Sequence, residues 1–349
     1  MNTEATLDIR AFHAIVDKDL PQPHQINYEV TRDSIRTFAY AVDDHNALYL
    51  DDDYASRMGW GHRIAPPGYL ASHGSSVWLA QHVPTIEDAD GNKLTEIVHA
   101  SEMWRFLRPV RPGDHVLSHS KISRAQAKFG RKVGASVMVD LHTRYFNHKG
   151  EDVATRVDTC FVLKEGKGGA DSAAGYPPLE NGKSRSVIQP TRFPGTFELP
   201  SPHEYTQRYF EDVAIGDPVD TLKIPPVMLQ NLGRYCAATL ASGVDEVGGP
   251  SPNGAMPDAY VFGHLRVPWF GRMLTAWAGP RAWIRSLEQR DKSWLLIGFA
   301  VECRGRITGK SGSPSDPWIT VELECVNELG HVTNTGSADL TLPTREPRA

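Results

Sequence analysis

The residues that could do chemistry are concentrated in one stretch near the start of the chain, between positions 38 and 55. An apolar helical pattern ends there in polar side chains that include Asp44 and Asn46, and Tyr49 and Asp51 follow. A carboxylate on a loop held between two helices is fixed in place, which suits a group that orients or deprotonates a small molecule. Asp51 is a good N-cap for the next helix. Asp44 could also serve only as a helix cap or a brace for the loop, and both roles stay open.

Tyr49 limits the acid–base chemistry that this stretch can perform. A tyrosine has a pKa of about 10, so near neutral pH it donates a proton or a hydrogen bond but does not act as a base. A carboxylate whose pKa is raised by burial could be the base instead. We therefore predict that Asp44 accepts a proton while Tyr49 hydrogen bonds to the same water or hydroxyl group.

Two glycines stand at the start of predicted apolar helices, Gly68 in the first half and Gly263 in the second. The first amides of a helix have no partner within the helix, and the helix dipole is positive at that end. A carbonyl placed there is polarised as negative charge develops on its oxygen. Both glycines are therefore candidates for an oxyanion hole, and close packing of helix on sheet is the alternative use for each.

Histidines offer a second source of a catalytic proton. His264 follows Gly263 directly and could supply the proton in place of Tyr49. A histidine beside an apolar stretch can equally be a satisfied residue of the core or its rim. Structural or exposed positions are predicted for three others, which are His62, His73 and His99.

Three arginines could bind a phosphorylated ligand. Arg105, Arg108 and Arg111 lie on or just after a predicted strand that also carries Trp104 and Phe106. A guanidinium group binds phosphate oxygens through paired hydrogen bonds, so any of the three could hold such a ligand. Solvated surface charge is the alternative for each.

The elements that must position these residues repeat along the chain. Each half begins with a helical stretch, passes through a Gly- and Pro-rich segment into an apolar helix, and ends in strands with period-two alternation. A sheet that hides one face on a helix predicts an α+β protein with a tandem hot-dog fold, each half an antiparallel sheet wrapped round a central helix. Two unrelated α+β domains are the alternative. The predicted helices span 32–42, 68–83, 228–240 and 263–287, and the clearest strands span 135–143, 153–162, 318–326 and 332–342.

A Gly- and Pro-rich stretch from Glu165 to Pro200 divides the two halves. Such a composition buries too little apolar surface to offset the entropy of ordering, which is typical of a linker. We therefore predict a first domain over 1–165, a linker over 166–202 and a second domain over 203–349.

Composition excludes several classes of protein. With 37 Lys and Arg against 42 Asp and Glu, the formal net charge is −5, which leaves no basic excess for nucleic acid. The 4 cysteines are scattered and none forms a C-x-x-C pair, which argues against a zinc site and for a reducing, cytoplasmic location. No apolar run approaches the roughly 18 residues of a membrane span. The polar start of the chain predicts neither a signal nor a transit peptide.

The stretch around Asp44 resembles the MaoC-like family and its fatty-acid-synthase-type dehydratase branch. That family's fingerprint reads G-D-x-N-P-x-H-x-D-x-x-x-A, and four residues match it at the right spacing: Asp44, Asn46, Asp51 and Ala55. The segment 64–67, which ends in Pro67, is similar to the I-A-P-P of the synthase-type branch. Residues 209–217 look like the opening strand of a second unit, and residues 108–114 fit the family's loop before a sheet hairpin.

The chain also departs from this fingerprint. Tyr49 stands at the family's histidine position, Asp43 at its glycine and Ala47 at its proline, although the synthase-type branch often carries tyrosine at the first of these. In the second half only Asp245 and Glu246 are carboxylates where the motif would lie, and no histidine follows at the right spacing. The resemblance therefore implies one surviving site in the first half and a second half that shapes the substrate pocket.

The resemblance implies reversible hydration of a 2-enoyl thioester, most simply linked to coenzyme A, or dehydration of the 3-hydroxy form. Asp44 and Tyr49 would handle the water, the Gly68 amide would hold the thioester oxygen and Asn46 would brace the loop. The other implied substrate contacts are Pro67, Gly263, Arg105 and Arg108. No metal or redox cofactor is expected, because the thioester carbonyl already acidifies the α-proton, and coenzyme A enters only as part of the substrate.

Two other functions stay open from the sequence. The same site could cleave a C–C or C–O bond beta to the thioester carbonyl, which would make the protein a different lyase. It could also be a non-catalytic subunit that binds an acyl group beside a MaoC-like partner, since neither half has an intact Asp and His pair. A homodimer is a further possibility that the sequence does not decide.

Overall fold

The computed structural model describes residues 7–22, 25, 27–74, 78–131, 133–168, 175–179, 185, 201–239, 258–313 and 315–345. The first half contains helices α1 (Arg10–His13), α2 (Arg32–Ala41), α3 (Ala47–Leu50), α4 (Asp52–Arg57) and α5 (Trp78–His82), a 3-10 helix (Tyr69–His73), and strands β1 (Ile86–Glu87), β2 (Lys93–Phe106), β3 (Val116–Gly130), β4 (Gly134–Asn147) and β5 (Asp152–Lys164). The second half contains 3-10 helices at Phe210–Asp212 and Gly263–Leu265, helices α6 (Leu229–Thr239) and α7 (Arg266–Ala278), and strands β6 (Pro218–Ile224), β7 (Trp283–Asp291), β8 (Val301–Lys310), β9 (Trp318–Asn327) and β10 (Val332–Thr341).

The strands form one antiparallel sheet that runs through both halves in the order β3-β4-β5-β2-β7-β10-β9-β8-β6, with the short β1 paired to β2. The halves meet where residues 101–105 of β2 pair with residues 286–290 of β7. The predicted α+β class with two sheet-and-helix units is therefore confirmed. Strands β2 to β5 fall within 1–165 and β6 to β10 within 203–349, while the domain boundaries themselves stay a prediction.

Helix α7 is the central helix of the second half. It is apolar on nearly every face and packs against β6, β7 and β8, as expected of a helix that a sheet surrounds. The predicted helix over 263–287 was too long, because α7 ends at Ala278 and residues 283–291 form β7. Gly279 adopts φ 90°, a conformation that ends the helix, and Pro280 follows it.

The corresponding helix of the first half is broken, so the single helix predicted over 68–83 was wrong. A 3-10 helix covers Tyr69–His73 and α5 covers Trp78–His82. Between them Gly74 is extended and lies against Tyr145, whose hydroxyl would be 2.9 Å from a Cβ added at this glycine. A glycine at this position therefore permits the close approach of the Tyr145 hydroxyl to the backbone.

Three further expectations have outcomes in the fold. Residues 209–217 do not form a strand, because Phe210–Asp212 is a 3-10 helix and β6 begins at Pro218. The loop predicted before a hairpin over 108–114 does connect β2 to the paired strands β3 and β4. Most of the predicted linker, together with Asp245 and Glu246, lies outside the described residues.

Among the described helices, none combines the length and apolarity that a membrane span requires.

Candidate functional site

The loop that carries Asp44 is turned inward by the end of α2. This helix begins at a Thr31 capping box and packs against α6 of the second half. Asp43 then takes a left-handed conformation with φ 54°, and the N–H of Asp44 donates to the carbonyl of Ala39 at 2.8 Å. As a result, only 2% of Asp44 is exposed.

Asn46 and a segment from the second half hold this loop in place. The Asn46 Oδ1 accepts a hydrogen bond from the N–H of Leu48 at 3.0 Å and so caps α3, and its own N–H donates to Asp44 Oδ1 at 3.2 Å. The N–H of Ala47 donates to the carbonyl of His203 at 2.8 Å, and the His203 N–H donates to the carbonyl of His45 at 2.7 Å. The loop is therefore fixed on both sides, as a site on a rigid support requires.

Tyr49 lies on α3 beside Asp44 and lines an apolar cavity between the two halves. Its side chain is 1% exposed. The cavity wall combines the first-half segment around Gly68 with the end of α7 and the start of β7, and it includes Tyr49, Pro67, Gly68, Arg108, Thr275 and Trp283. The cavity therefore needs residues from both halves.

Burial raises the pKa of both central groups, but it leaves them in different protonation states near neutral pH. Burial raises the pKa of Asp44 to about 6, although the Arg272 guanidinium and the Asn46 N–H both oppose the rise. Burial also raises the pKa of Tyr49 well above its usual value, and the nearby Asp44 carboxylate adds to this effect. Near neutral pH the site therefore pairs a carboxylate that can accept a proton with a phenol that keeps its own.

Three residues of the second half complete these surroundings and were missed from the sequence. Arg272 and Thr275 project from α7 toward Asp44 and Tyr49, and Tyr205 lies near the Asp44 carboxylate. Arg272 is the lone charged residue between positions 267 and 278 of an otherwise apolar helix, a signal that could have identified it. No comparable signal distinguishes Tyr205.

Gly68 has the left-handed backbone that favours glycine, with φ 87°, and it immediately precedes the 3-10 helix Tyr69–His73. A Cβ added here would lie 3.3 Å from Pro268 Cδ, so the residue also meets the start of α7 closely. Because the helix has only five residues, its dipole is small. Any polarisation of a carbonyl at this point would depend on the Gly68 N–H itself.

The other predicted substrate-contact residues of the first half do not all lie at this cavity. Arg108 lines the cavity and pairs with Glu151 at 2.6 Å, whereas Arg105 is exposed on β2. Pro67 lines the cavity and packs against Gly271. A Cβ added at Gly271 would lie 2.6 Å from the Cβ of Pro67.

The structure does not bring Gly263 and His264 to the cavity beside Tyr49. The His264 Nδ1 lies 2.9 Å from Glu102 Oε2, and its ring packs against His99 with centroids 4.4 Å apart. A Cβ added at Gly263 would be 2.8 Å from the His99 Nδ1, so this glycine permits close packing. The expectation that His264 replaces an acid at Tyr49 therefore finds no support in its position.

The raised pKa of Asp44 predicts that Asp44→Asn stabilises the folded protein at neutral pH. Because the folded pKa of about 6 exceeds the ordinary 3.8, the native state loses stability as pH rises between these values, and the cost is complete above about pH 6. A pKa difference of about 2 corresponds to about 3 kcal/mol. We expect urea unfolding to give similar free energies for both proteins near pH ~4, and the variant to be more stable by about that amount near pH ~7.5. A difference that stays the same at both pH values would show that Asp44 titrates normally.

Comparison with known proteins defines the class of this fold and site. Residues 21–156 match the family model described as FAS1-like, dehydratase domain region. A MaoC-like dehydratase of known structure superposes with a TM-score of 0.68 at 17% identity, covering 93% of this chain and 99% of that one. A MaoC-like dehydratase from Phytophthora capsici gives 0.59 at 14% identity, covering 95% and 99%. A conserved hypothetical protein from Mycobacterium tuberculosis, described as having a double hotdog fold, also gives 0.59, at 12% identity, covering 93% and 97%. At these identities the likeness shows the fold, and the double hot-dog prediction is confirmed.

Relatives with closer sequences match less than half of the chain. A UPF0336 protein of Thermobifida fusca is 30% identical over 154 residues, which are 43% of this chain and 91% of the relative. A UPF0336 protein of Streptomyces coelicolor is 31% identical over 134 residues, which are 38% and 83%. The chain belongs to the UPF0336 family, and the predicted resemblance to MaoC-like and synthase-type dehydratases is confirmed.

Proposed function

We propose that the protein adds water reversibly to a 2-enoyl thioester, giving the 3-hydroxyacyl thioester. The dehydratase-type family and the MaoC-like fold support a hydro-lyase in general. The proposal for this particular chain depends on one observation: the buried Asp44 carboxyl, whose pKa is raised, interacts electrostatically with the protonated phenol of Tyr49, and Tyr49 lines a cavity between the halves. Asp44 itself lies behind Tyr49 and is not part of the cavity wall.

The side chains at this site suit hydration in the following way. Asp44 accepts one proton from a water molecule as the water oxygen bonds to the β-carbon, and the other proton stays on the new hydroxyl group. Asp44 then passes its proton to the α-carbon, so the atoms of one water are added across the double bond. A base with a pKa of about 6 is ionised near neutral pH yet basic enough to take the proton.

Tyr49 and Gly68 have supporting roles in this proposal. The Tyr49 hydroxyl keeps its proton, so it can hold the attacking water or the product hydroxyl by a hydrogen bond. The Gly68 N–H can stabilise the thioester oxygen as negative charge develops on it during addition. Both residues line the cavity, which supports assigning the two roles to one bound substrate.

The cavity supports an uncharged acyl group bound as a thioester. Its wall is formed largely by apolar side chains such as Leu48, Ile64 and Ile284, with Arg108 as its charged member. Apolar walls suit an acyl chain, and a guanidinium group suits a phosphate of coenzyme A. We therefore propose enoyl-CoA as the substrate and a cytoplasmic reaction, with no cofactor beyond the coenzyme A of the substrate.

The purified full chain should be mixed with crotonyl-CoA and with longer and cyclic enoyl-CoA thioesters. We expect the enoyl absorbance to fall with at least one of them, and mass spectrometry to show a product heavier by one water. Silence with every thioester when the chain is tested alone would contradict the proposal.

Two other outcomes of this assay have distinct meanings. Turnover that appears only with a MaoC-like partner would indicate an acyl-binding subunit instead of an enzyme. A product that has lost a carbon fragment would indicate a lyase that cleaves beta to the carbonyl. Measuring the mass of the protein in solution during the same work would test for a homodimer.

A further inference from the structure

A second cluster of ionisable side chains lies where the two halves meet, apart from the cavity of Tyr49. His99 and Glu102 come from β2, Asp158 from β5 and His264 from the 3-10 turn that leads into α7. One nitrogen or oxygen atom from each of the four lies within 4.8 Å of the others. The cluster therefore joins two strands of the first half to the central helix of the second.

Two of the atoms that face one another have no hydrogen-bond partner. The His99 Nε2 and the Asp158 Oδ1 are both buried without a partner among the described residues. They are 3.7 Å apart, which is too long for a hydrogen bond. Since Asp158 is only 3% exposed, leaving its oxygen unpaired is costly, and a bound ion is one explanation for such an atom.

The outer atoms of the same side chains are held in place. His99 Nδ1 lies 2.9 Å from the Asp291 carboxylate, Trp104 Nε1 donates to Glu102 Oε1 at 2.6 Å, and Arg156 Nε donates to Asp158 Oδ2 at 2.6 Å. Metal ligands in proteins are commonly oriented by such contacts, with a carboxylate on the far nitrogen of the histidine. When the His99 Nδ1–H donates to Asp291, the lone pair of Nε2 points into the cluster.

We propose that His99, Glu102, Asp158 and His264 bind one divalent cation, Zn²⁺ in the first instance. Two imidazole nitrogens and two carboxylate oxygens are a ligand set that zinc accepts in four-coordinate geometry. Ligand atoms that lie about 2.0 Å from a tetrahedral zinc are about 3.3 Å from one another. His264 Nδ1 and Glu102 Oε2 are 2.9 Å apart, and His99 Nε2 and Asp158 Oδ1 are 3.7 Å apart. These two distances lie on either side of the spacing that zinc requires.

The absence of C-x-x-C spacing, which argued against zinc at the level of sequence, does not bear on this set because it contains no cysteine. The proposal is independent of the hydratase function.

Zinc binding to the full chain tests the proposal without any substrate. After treatment with a chelator and dialysis, titration with Zn²⁺ in a calorimeter should show one site per chain. Loading with Co²⁺ should give the visible absorption of a four-coordinate ion. We expect His264→Gln, and separately His99→Gln, to weaken zinc binding by at least about 100-fold, and Asp291→Asn by about 10- to 100-fold.

His62→Gln is the matched control, because His62 is exposed and lies outside the cluster. It should bind zinc as tightly as the parent. His264 is partly exposed, so its variant is expected to fold even if the His99 variant does not, and circular dichroism checks this. Failure of the parent to take up one Zn²⁺ per chain would overturn the proposal, as would unchanged affinity in His264→Gln.

Discussion

Asp44→Asn should lower kcat/KM for the best enoyl-CoA substrate by about 100- to 10,000-fold, the usual contribution of a general base. Asparagine keeps the size of the side chain and can still accept the hydrogen bond from the Asn46 N–H, so the loop should remain in place. It has no lone pair basic enough to take a proton from water. The loss should therefore appear in the rate, with circular dichroism and cavity shape unchanged.

The pH profile of the parent provides a second measurement of the same group. Because the pKa of Asp44 is about 6, kcat/KM should rise as pH increases through that value and then level off. Asp53→Asn makes the same chemical change at an exposed position on α4 and should leave the rate unaltered. Full activity in both Asp44→Asn and Tyr49→Phe would show that the reaction takes place elsewhere.

Arg156→Leu should destabilise the protein by about 3–5 kcal/mol, the cost of removing one member of a buried set of charges. Arg156 is 5% exposed, donates to Asp158 and lies 3.9 Å from Glu102 Oε1. Leucine retains some apolar contact with the Trp104 ring but leaves two buried carboxylates without their guanidinium. Urea unfolding followed by circular dichroism would measure the change.

Arg290→Leu is the control for this effect, because Arg290 pairs with Glu288 at 2.8 Å on the exposed face of β7. Such surface pairs contribute about 0–1 kcal/mol, so the unfolding midpoint should hardly move. Both measurements should be made with a chelator present, so that no bound cation contributes. Equal effects of the two substitutions would contradict a special role for the buried set.

Local patterns in the sequence predicted the elements whose cause is local. Alternating side chains marked β4, β5, β9 and β10, because each strand covers the core with one face. Asp51 caps α4 through hydrogen bonds to the N–H groups of Asp53 and Tyr54, as its type and position indicated. The fingerprint around Asp44 led to the family for the same reason, since its residues lie within one short stretch.

The errors arose where distant residues decide the outcome. At the break in the first-half helix, Gly74 contacts Tyr145, more than 70 positions away along the chain, and no local pattern reports that contact. Thr275 reaches Tyr49 only because the two halves fold against each other. The cluster of His99 and His264 likewise has no spacing motif, since tertiary structure alone brings its members together. The overlong helix had a local warning, however, because Gly279 and Pro280 are a common stop signal.

The pairing of β2 with β7 lies within one covalent chain, so dilution cannot separate the two strands as it separates subunits. In a symmetric pair of identical chains, every substitution occurs in both chains and therefore alters the corresponding site in each of them. Here each substitution occurs once. The surroundings of Asp44 and the corresponding region of the second half can therefore accumulate changes independently of each other.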